Sequence, residues 1–335
     1  MAARDKIRLL PAMVPPATAD GVRATTNGDN NKRTERYQLR VTCPVTYVAA
    51  LGVNRNKGSV LALLTDIGFN DGGTDKVVMD ARLARFIAEA LAPSALPAVR
   101  GDATVAALNN LEETVPIWLS AVGTTNPGET KYVEVNKQLQ QQVFATPNRL
   151  AARITTGAGG ATFGALTVNV EQVFDEMTGT PPWLSPYVRQ VVQDVNGANA
   201  ALKVDLRGSR YIRGIGLQQD TNVGEVADIL NSLVMRGDAE TYIGQNAIPI
   251  RDLILGNAVE QGGAIFSTPA AYLWVDFCRY GRLSTMWNPY QDTNLRFEAN
   301  VQPSVTAGAT SSQLRTALVE YESTAATLAT LPIEI

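Results

Sequence analysis

From residue 37 onward, apolar and polar positions alternate with a period of two. Tyr37, Leu39, Val41, Cys43 and Val45 fall on one side of Gln38, Arg40, Thr42 and Pro44, as expected of a strand with one buried face. The same alternation returns at Leu166, Val168 and Val170, then at Leu202, Val204 and Leu206 against Lys203 and Asp205. Tyr211, Arg213, Ile215 and Leu217 predict a further strand with glycines between them. The clearest case sets Leu295, Phe297, Ala299 and Val301 against Arg296, Glu298 and Asn300, and residues 314–321 predict the last strand. In residues 272–277 both faces are largely apolar, which places that strand deep in a sandwich. Strands are also predicted at 115–122 and 131–135, joined by the turn TNPG at 125–128. Residues 59–64 form a short apolar run, and 248–259 read equally well as a short helix or a strand.

Two segments follow a helical period instead. Asp80 is placed to cap a helix whose face carries Leu83, Phe86, Ile87 and Leu91, with Pro93 beyond its end. Asn222, with Glu225 three residues on, resembles a capping box. Behind it Val226, Ile229, Leu230 and Leu233 share one face, and Gly237 follows. The expected fold class is therefore all-β with a few inserted helices.

The second half of the chain echoes the first. Residues 155–176 (TTGAGGATFGALTVNVEQVFDE) run from a Gly/Ala/Thr turn into an alternating strand, and 305–323 (VTAGATSSQLRTALVEYES) do the same. A chain of 335 residues exceeds the size at which one core usually suffices. TGTPP at 178–182 reads as a connector. Ahead of the first strand, Pro11, Pro15 and Pro16 and the polar stretch 25–32 exclude regular helix. The expected organisation is an extended basic arm at 1–34, sandwiches at 35–178 and 179–325, and a tail at 326–335.

Composition adjusts this picture at four points. Net charge is −3, yet residues 1–40 hold eight basic and four acidic side chains, so a basic arm precedes an acidic body. Such an arm suits phosphates, lipid headgroups or a neighbour's acidic surface. The start of the chain has too short an apolar run for a secretory signal, and the expectation is a protein made in the cytoplasm. Two cysteines, Cys43 and Cys278, give no disulfide framework and are expected to be buried. The sequence has no histidine, which removes the histidine-dependent nucleophile systems and the commonest general base.

Three further groups of residues bear on chemistry. TGAGG at 156–160 lacks the third glycine and the following helix of a dinucleotide fingerprint. Glu112–Glu113 and Asp175–Glu176 are adjacent pairs whose members point to opposite faces of a strand, and Asp276 stands alone between aromatics. Trp274, Tyr280, Trp287 and Tyr290 could stack on sugars or fill a core and subunit interface. No catalytic, cofactor-binding or metal-binding residue is assigned, and no cofactor is expected.

The tandem β-domains, the basic arm before 37–45, and the paired closing strands resemble the double jelly-roll major capsid proteins of the tectivirus and adenovirus-hexon lineage. The stretches YLWVDFCRYGR at 272–282 and NLRFEANV at 294–301 look like late strands of a second jelly roll in such proteins. The resemblance spans 35–325 and implies tandem double jelly-roll sandwiches without catalytic residues. It further implies a structural subunit forming pseudo-hexameric homotrimers that tile an icosahedral virion shell. Expected partners are copies of the chain, neighbouring trimers, and penton and minor capsid proteins; an internal viral membrane is allowed, and specific nucleic-acid recognition is not expected. Arg4, Lys6, Arg8, Arg23, Lys32 and Arg33 are the candidate contacts with a membrane or neighbour. The alternative is a tandem β-sandwich carbohydrate-binding protein or glycosidase, such as a phage spike.

Overall fold

The computed structural model describes residues 6–15, 22–29, 33–47, 60–91, 108–119, 140–147, 161–175, 185–195, 201–205, 210–221, 224–225, 230–236, 241–249, 272–278, 286–288, 296–301 and 312–322. The chain forms two compact units, Met1–Arg189 with Ser323–Ile335, and Gln190–Glu322. The boundary expected at 178/179 falls outside the described residues.

The first unit contains β1 (Lys6–Leu9), β2 (Ala24–Asn27), β3 (Arg33–Tyr47), β4 (Leu64–Asp71), β5 (Thr74–Met79), α1 (Ala81–Leu91), β6 (Leu108–Trp118), β7 (Gln141–Pro147), β8 (Ala161–Phe163) and β9 (Thr167–Asp175). One sheet runs β1-β9-β3-β6, with β8 beside the end of β3. Its alternation follows the sequence pattern: Tyr37 lies opposite Gln172 and Ile117, and Leu39 opposite Val170 and Val115. Tyr37, Leu39, Val41 and Cys43 are all buried. The other sheet of this unit orders β5-β4-β7-β2. Phe69 of β4 stacks on Tyr37 of β3 with ring centroids 5.6 Å apart, so the core lies between the two sheets. Each fully buried side chain of this size contributes about 1.5–3 kcal/mol.

Two local devices shape this unit. Asp71 pairs with Thr74 across Gly72 (φ 61°) and Gly73 (φ 87°), the two positive-φ positions that a tight hairpin needs to match strand twist. Asn70 Oδ1 accepts the Gly73 N–H at 2.8 Å. The predicted helix is present as α1. Asp80 Oδ1 accepts the N–H of Arg82 at 2.9 Å and that of Leu83 at 3.4 Å, satisfying donors that a helix start leaves open. Leu83, Phe86 and Ile87 are buried.

The strand β10 (Ser185–Val195) divides at the boundary: Val188 pairs in parallel with Val77 inside the first unit, and Gln190–Val195 belong to the second. There follow β11 (Ala201–Asp205), β12 (Tyr211–Thr221), β13 (Gly224–Glu225), β14 (Leu230–Arg236), β15 (Thr241–Pro249), β16 (Tyr272–Asp276), β17 (Arg296–Val301) and β18 (Ser312–Glu322). Here β18 lies between β12 and β10, while β13 and β16 line the other edge of β12. Ile215, Leu217, Leu273, Leu314 and Leu318 are buried. A separate sheet orders β11-β17-β14-β15, with Val204 and Phe297 buried.

Both echoed segments end as closing strands. β9 pairs with β3, the first long strand of its unit, and β18 lies beside β10, which opens the second. A last strand that returns beside the first is the signature of Greek-key and jelly-roll connections.

The helix expected behind Asn222 is a misreading. Gly224–Glu225 form β13, and Leu230–Arg236 form β14, paired with both β15 and β17. Leu230 and Leu233 satisfy either period over so short a run, and cross-strand partners such as Ala299 and Ile248, both opposite Leu233, settle it as strand. The few inserted helices thus reduce to α1 and one turn of 3-10 helix at Val60–Leu63 among the described residues. β6 also begins earlier than the strand expected at 115, and the strand expected at 131–135 lies outside the described residues.

Candidate assembly surface

The amino-terminal segment does not run free of the fold. Within it, β1 pairs antiparallel with β9 and β2 with β7. Beyond β1, the Leu10 N–H donates to Val170 O at 2.9 Å, and Met13 exchanges hydrogen bonds with Val168 at 2.9 and 2.8 Å. Met13 is buried and anchors the end of this run. Gln172 fastens the next turn: its Oε1 accepts the Asp29 N–H at 3.0 Å, and its Nε2 donates to Asp29 O and to Thr34 Oγ1.

What the segment presents outward is apolar as well as basic. Ile7 is 63% exposed, Leu9 73%, Val14 62% and Val22 49%. Among the described residues the remaining exposed large hydrophobic is Val192. Ile7 and Leu9 share one face of β1, and Lys6 and Arg8 the other. The KIRL run alternates as a strand does, but nothing in the sequence tells that its apolar face is left uncovered.

The candidate basic residues fare differently from one another. Arg8 forms an ion pair with Asp29. Arg23 pairs with Asp75 at 2.8 Å and lies 4.0 Å over the Phe144 ring. Lys6 is exposed on β1, and Arg33 begins β3 opposite Asp175. Arg4 and Lys32 lie outside the described residues. Arg8 and Arg23 therefore serve the fold as well as any contact.

Four buried polar groups could be mistaken for reactive centres. The Tyr37 hydroxyl donates to Gln141 Oε1 at 2.9 Å. Burial pushes its pKa above the ordinary phenol range. The Cys43 thiol is pushed up to about 11, again by burial, which keeps it protonated and inert. Cys278 is buried as well. Arg213 is fully buried, 3.7 Å from Asp276. Burial opposes its charge, but Cys278, Tyr321 and Asp276 outweigh that and raise its pKa. The β12 register skips Arg213 between Ile212 and Gly214, a bulge that re-aims a side chain.

The remaining sequence candidates do not converge. Glu113 is buried opposite Val41 and Glu112 half-buried opposite Thr42. Asp276 accepts the Cys278 N–H at 2.8 Å and is engaged by Arg213. Trp274 is buried, its ring over Gly214, where a Cβ would sit 2.5 Å away. Trp287 packs on Phe277 at 5.9 Å. Tyr280, Tyr290, Glu176 and residues 156–160 lie outside the described residues. No group of three metal-ligating side chains occurs among the described residues, and none of their helices is long and apolar enough to cross a membrane.

No protein-family model matches the chain, and no curated protein matches it in sequence. Solved structures do. The STIV major capsid protein superposes with a TM-score of 0.66 at 10% identity, over 95% of this chain and 96% of that one. The PBCV-1 virus capsid gives 0.62 at 11%, over 96% and 94%. The major capsid protein P2 from bacteriophage PM2 gives 0.56 at 10%, over 96% and 99%. At such identities the likeness is one of fold, and it runs almost end to end in both partners. The fold is the double jelly roll.

Proposed function

We propose that this chain, which carries the double jelly-roll fold of viral major capsid proteins, is itself a major capsid protein. The near end-to-end match to such proteins supports this most strongly, because an unrelated use of one sandwich would leave half of each chain unmatched. In this reading three copies form a pseudo-hexameric capsomer, two jelly rolls from each, and capsomers tile an icosahedral shell. The jelly rolls correspond to 35–178 and 179–325. The protein is made in the host cytoplasm and resides in the virion, where pentons and minor capsid proteins complete the shell. Its role is structural, without a catalytic step. Arg4, Lys6, Arg8, Arg23, Lys32 and Arg33 contact a neighbour or an underlying membrane.

Purified protein separated by size and viewed by negative-stain electron microscopy tests this. Particles of three chains with a hexagonal outline are expected. A stable monomer that binds glycans would overturn the reading in favour of the carbohydrate-binding alternative. For the arm, assembly that is unchanged after deletion of residues 1–30 would remove its assigned role.

A further inference from the structure

Resting on that self-assembly reading, the geometry points to the free edge of β1 as the docking edge for a second copy of this chain, with Ile7 and Leu9 as the apolar contacts. Three observations carry it. Four of the five exposed large hydrophobics among the described residues lie between Ile7 and Val22. The strand that presents the first two is held in register by β9 and anchored beyond its end by Met13, so little further ordering is needed on docking. Among the described residues its outer edge is also open. Because the Leu10 N–H is spent on Val170, the two-residue alternation of an antiparallel ladder turns the backbone groups of Ile7 and Leu9 away from β9. Among the described residues no strand pairs on that side.

The occupant follows from what this edge can satisfy. Unpaired backbone donors and acceptors have no partners in hydrocarbon. A lipid surface is thus a poor fit, whereas a protein strand supplies both hydrogen bonds and apolar contact. Pairing β1 with its own copy would set Lys6 and Arg8 against like charges, which is destabilising. The first 40 residues hold four more basic than acidic side chains, while the whole chain is −3, so a different, acidic surface of the neighbour is complementary. The contact is therefore heterologous, the kind that closes into rings.

Sedimentation velocity over a concentration series tests this on wild type, on I7T/L9T, and on L9P. The double variant keeps strand propensity and removes the apolar surface. The proline removes one outward N–H and leaves the β9 ladder intact. Both are expected to self-associate at least about tenfold more weakly, with unchanged circular dichroism. Hydrogen exchange on wild type gives a readout independent of the variants: the Ile7 and Leu9 amides should become protected only on assembly. The inference is overturned if the folded variants associate like wild type. Protection already present in the monomer would also overturn it, since a segment of the same chain would then cover the edge. So would wild type floating with phosphatidylglycerol vesicles while I7T/L9T does not. A wild type that stays monomeric throughout overturns the capsid reading itself, a result distinct from all of these.

Discussion

At the scale of single residues, the polar groups inside this protein act as positioning devices. Tyr37 sits at the centre of the first unit, its ring on Phe69 and its hydroxyl on Gln141. Tyr37→Phe keeps the stacking and strips Gln141 of a buried donor, so a loss of about 1–2 kcal/mol is expected in chemical denaturation. Tyr37→Leu should cost more, because the ring contact goes as well. Glu298 offers a pH-dependent case: a hydrogen bond from Arg296, with Arg236 and Lys203 nearby, holds its carboxyl below the ordinary value. A depressed carboxyl contributes stability above its unfolded pKa, about 4.3, and that contribution is lost as pH falls through the folded value. Glu298→Gln should therefore flatten the acid limb of a stability-versus-pH curve while leaving its slope above pH 6 unchanged. Burial of Cys43 and Cys278 was legible, since Cys43 shares the parity of an apolar strand face and Cys278 follows an aromatic-rich strand. That Arg213 is buried was only half legible: it shares the parity of the buried Ile215 and Leu217, but an arginine is rarely buried, and periodicity carries no sign of the bulge beside it.

At the scale of elements, the sequence is clearest where one face of a strand is buried and the other is not. β3, β9, β11 and β17 show such alternation and lie close to where it predicted them, whereas β18, found where expected, is buried on both faces. The helix α1 was equally plain, because Asp80 supplies a cap and the apolar face persists over three turns. β14 was misread because seven residues are too few to separate the two periods when the deciding partners lie elsewhere in the chain. β7, whose described residues are almost all buried, offers no alternation to read. The β4–β5 hairpin went unnoticed despite its Gly-Gly turn, one of the stronger local signals available. Replacing Gly73 by Ala should cost about 1 kcal/mol, although a Cβ there meets no neighbour within 4 Å. The penalty comes from the positive φ of 87° alone. Gly73→Asn should recover part of it in thermal unfolding, because Asn tolerates that region better.

At the scale of the whole molecule, the echoed closing strands were the most legible feature of the sequence. Each echo lies beside the strand that opens its unit, so the repeat marks two sandwiches rather than two loose motifs. The arm was the less legible part. Its prolines suggested a free extension, yet Met13 and Gln172 fasten it to the first unit. Only its burial pattern reveals Ile7 and Leu9 as an exposed ridge. The central claim is self-assembly into a three-chain capsomer, and light scattering on the purified protein tests it most directly. A mass three times the 35.9 kDa of one chain, falling toward that of one chain only on strong dilution, is the predicted result. A mass of one chain at every concentration would contradict it.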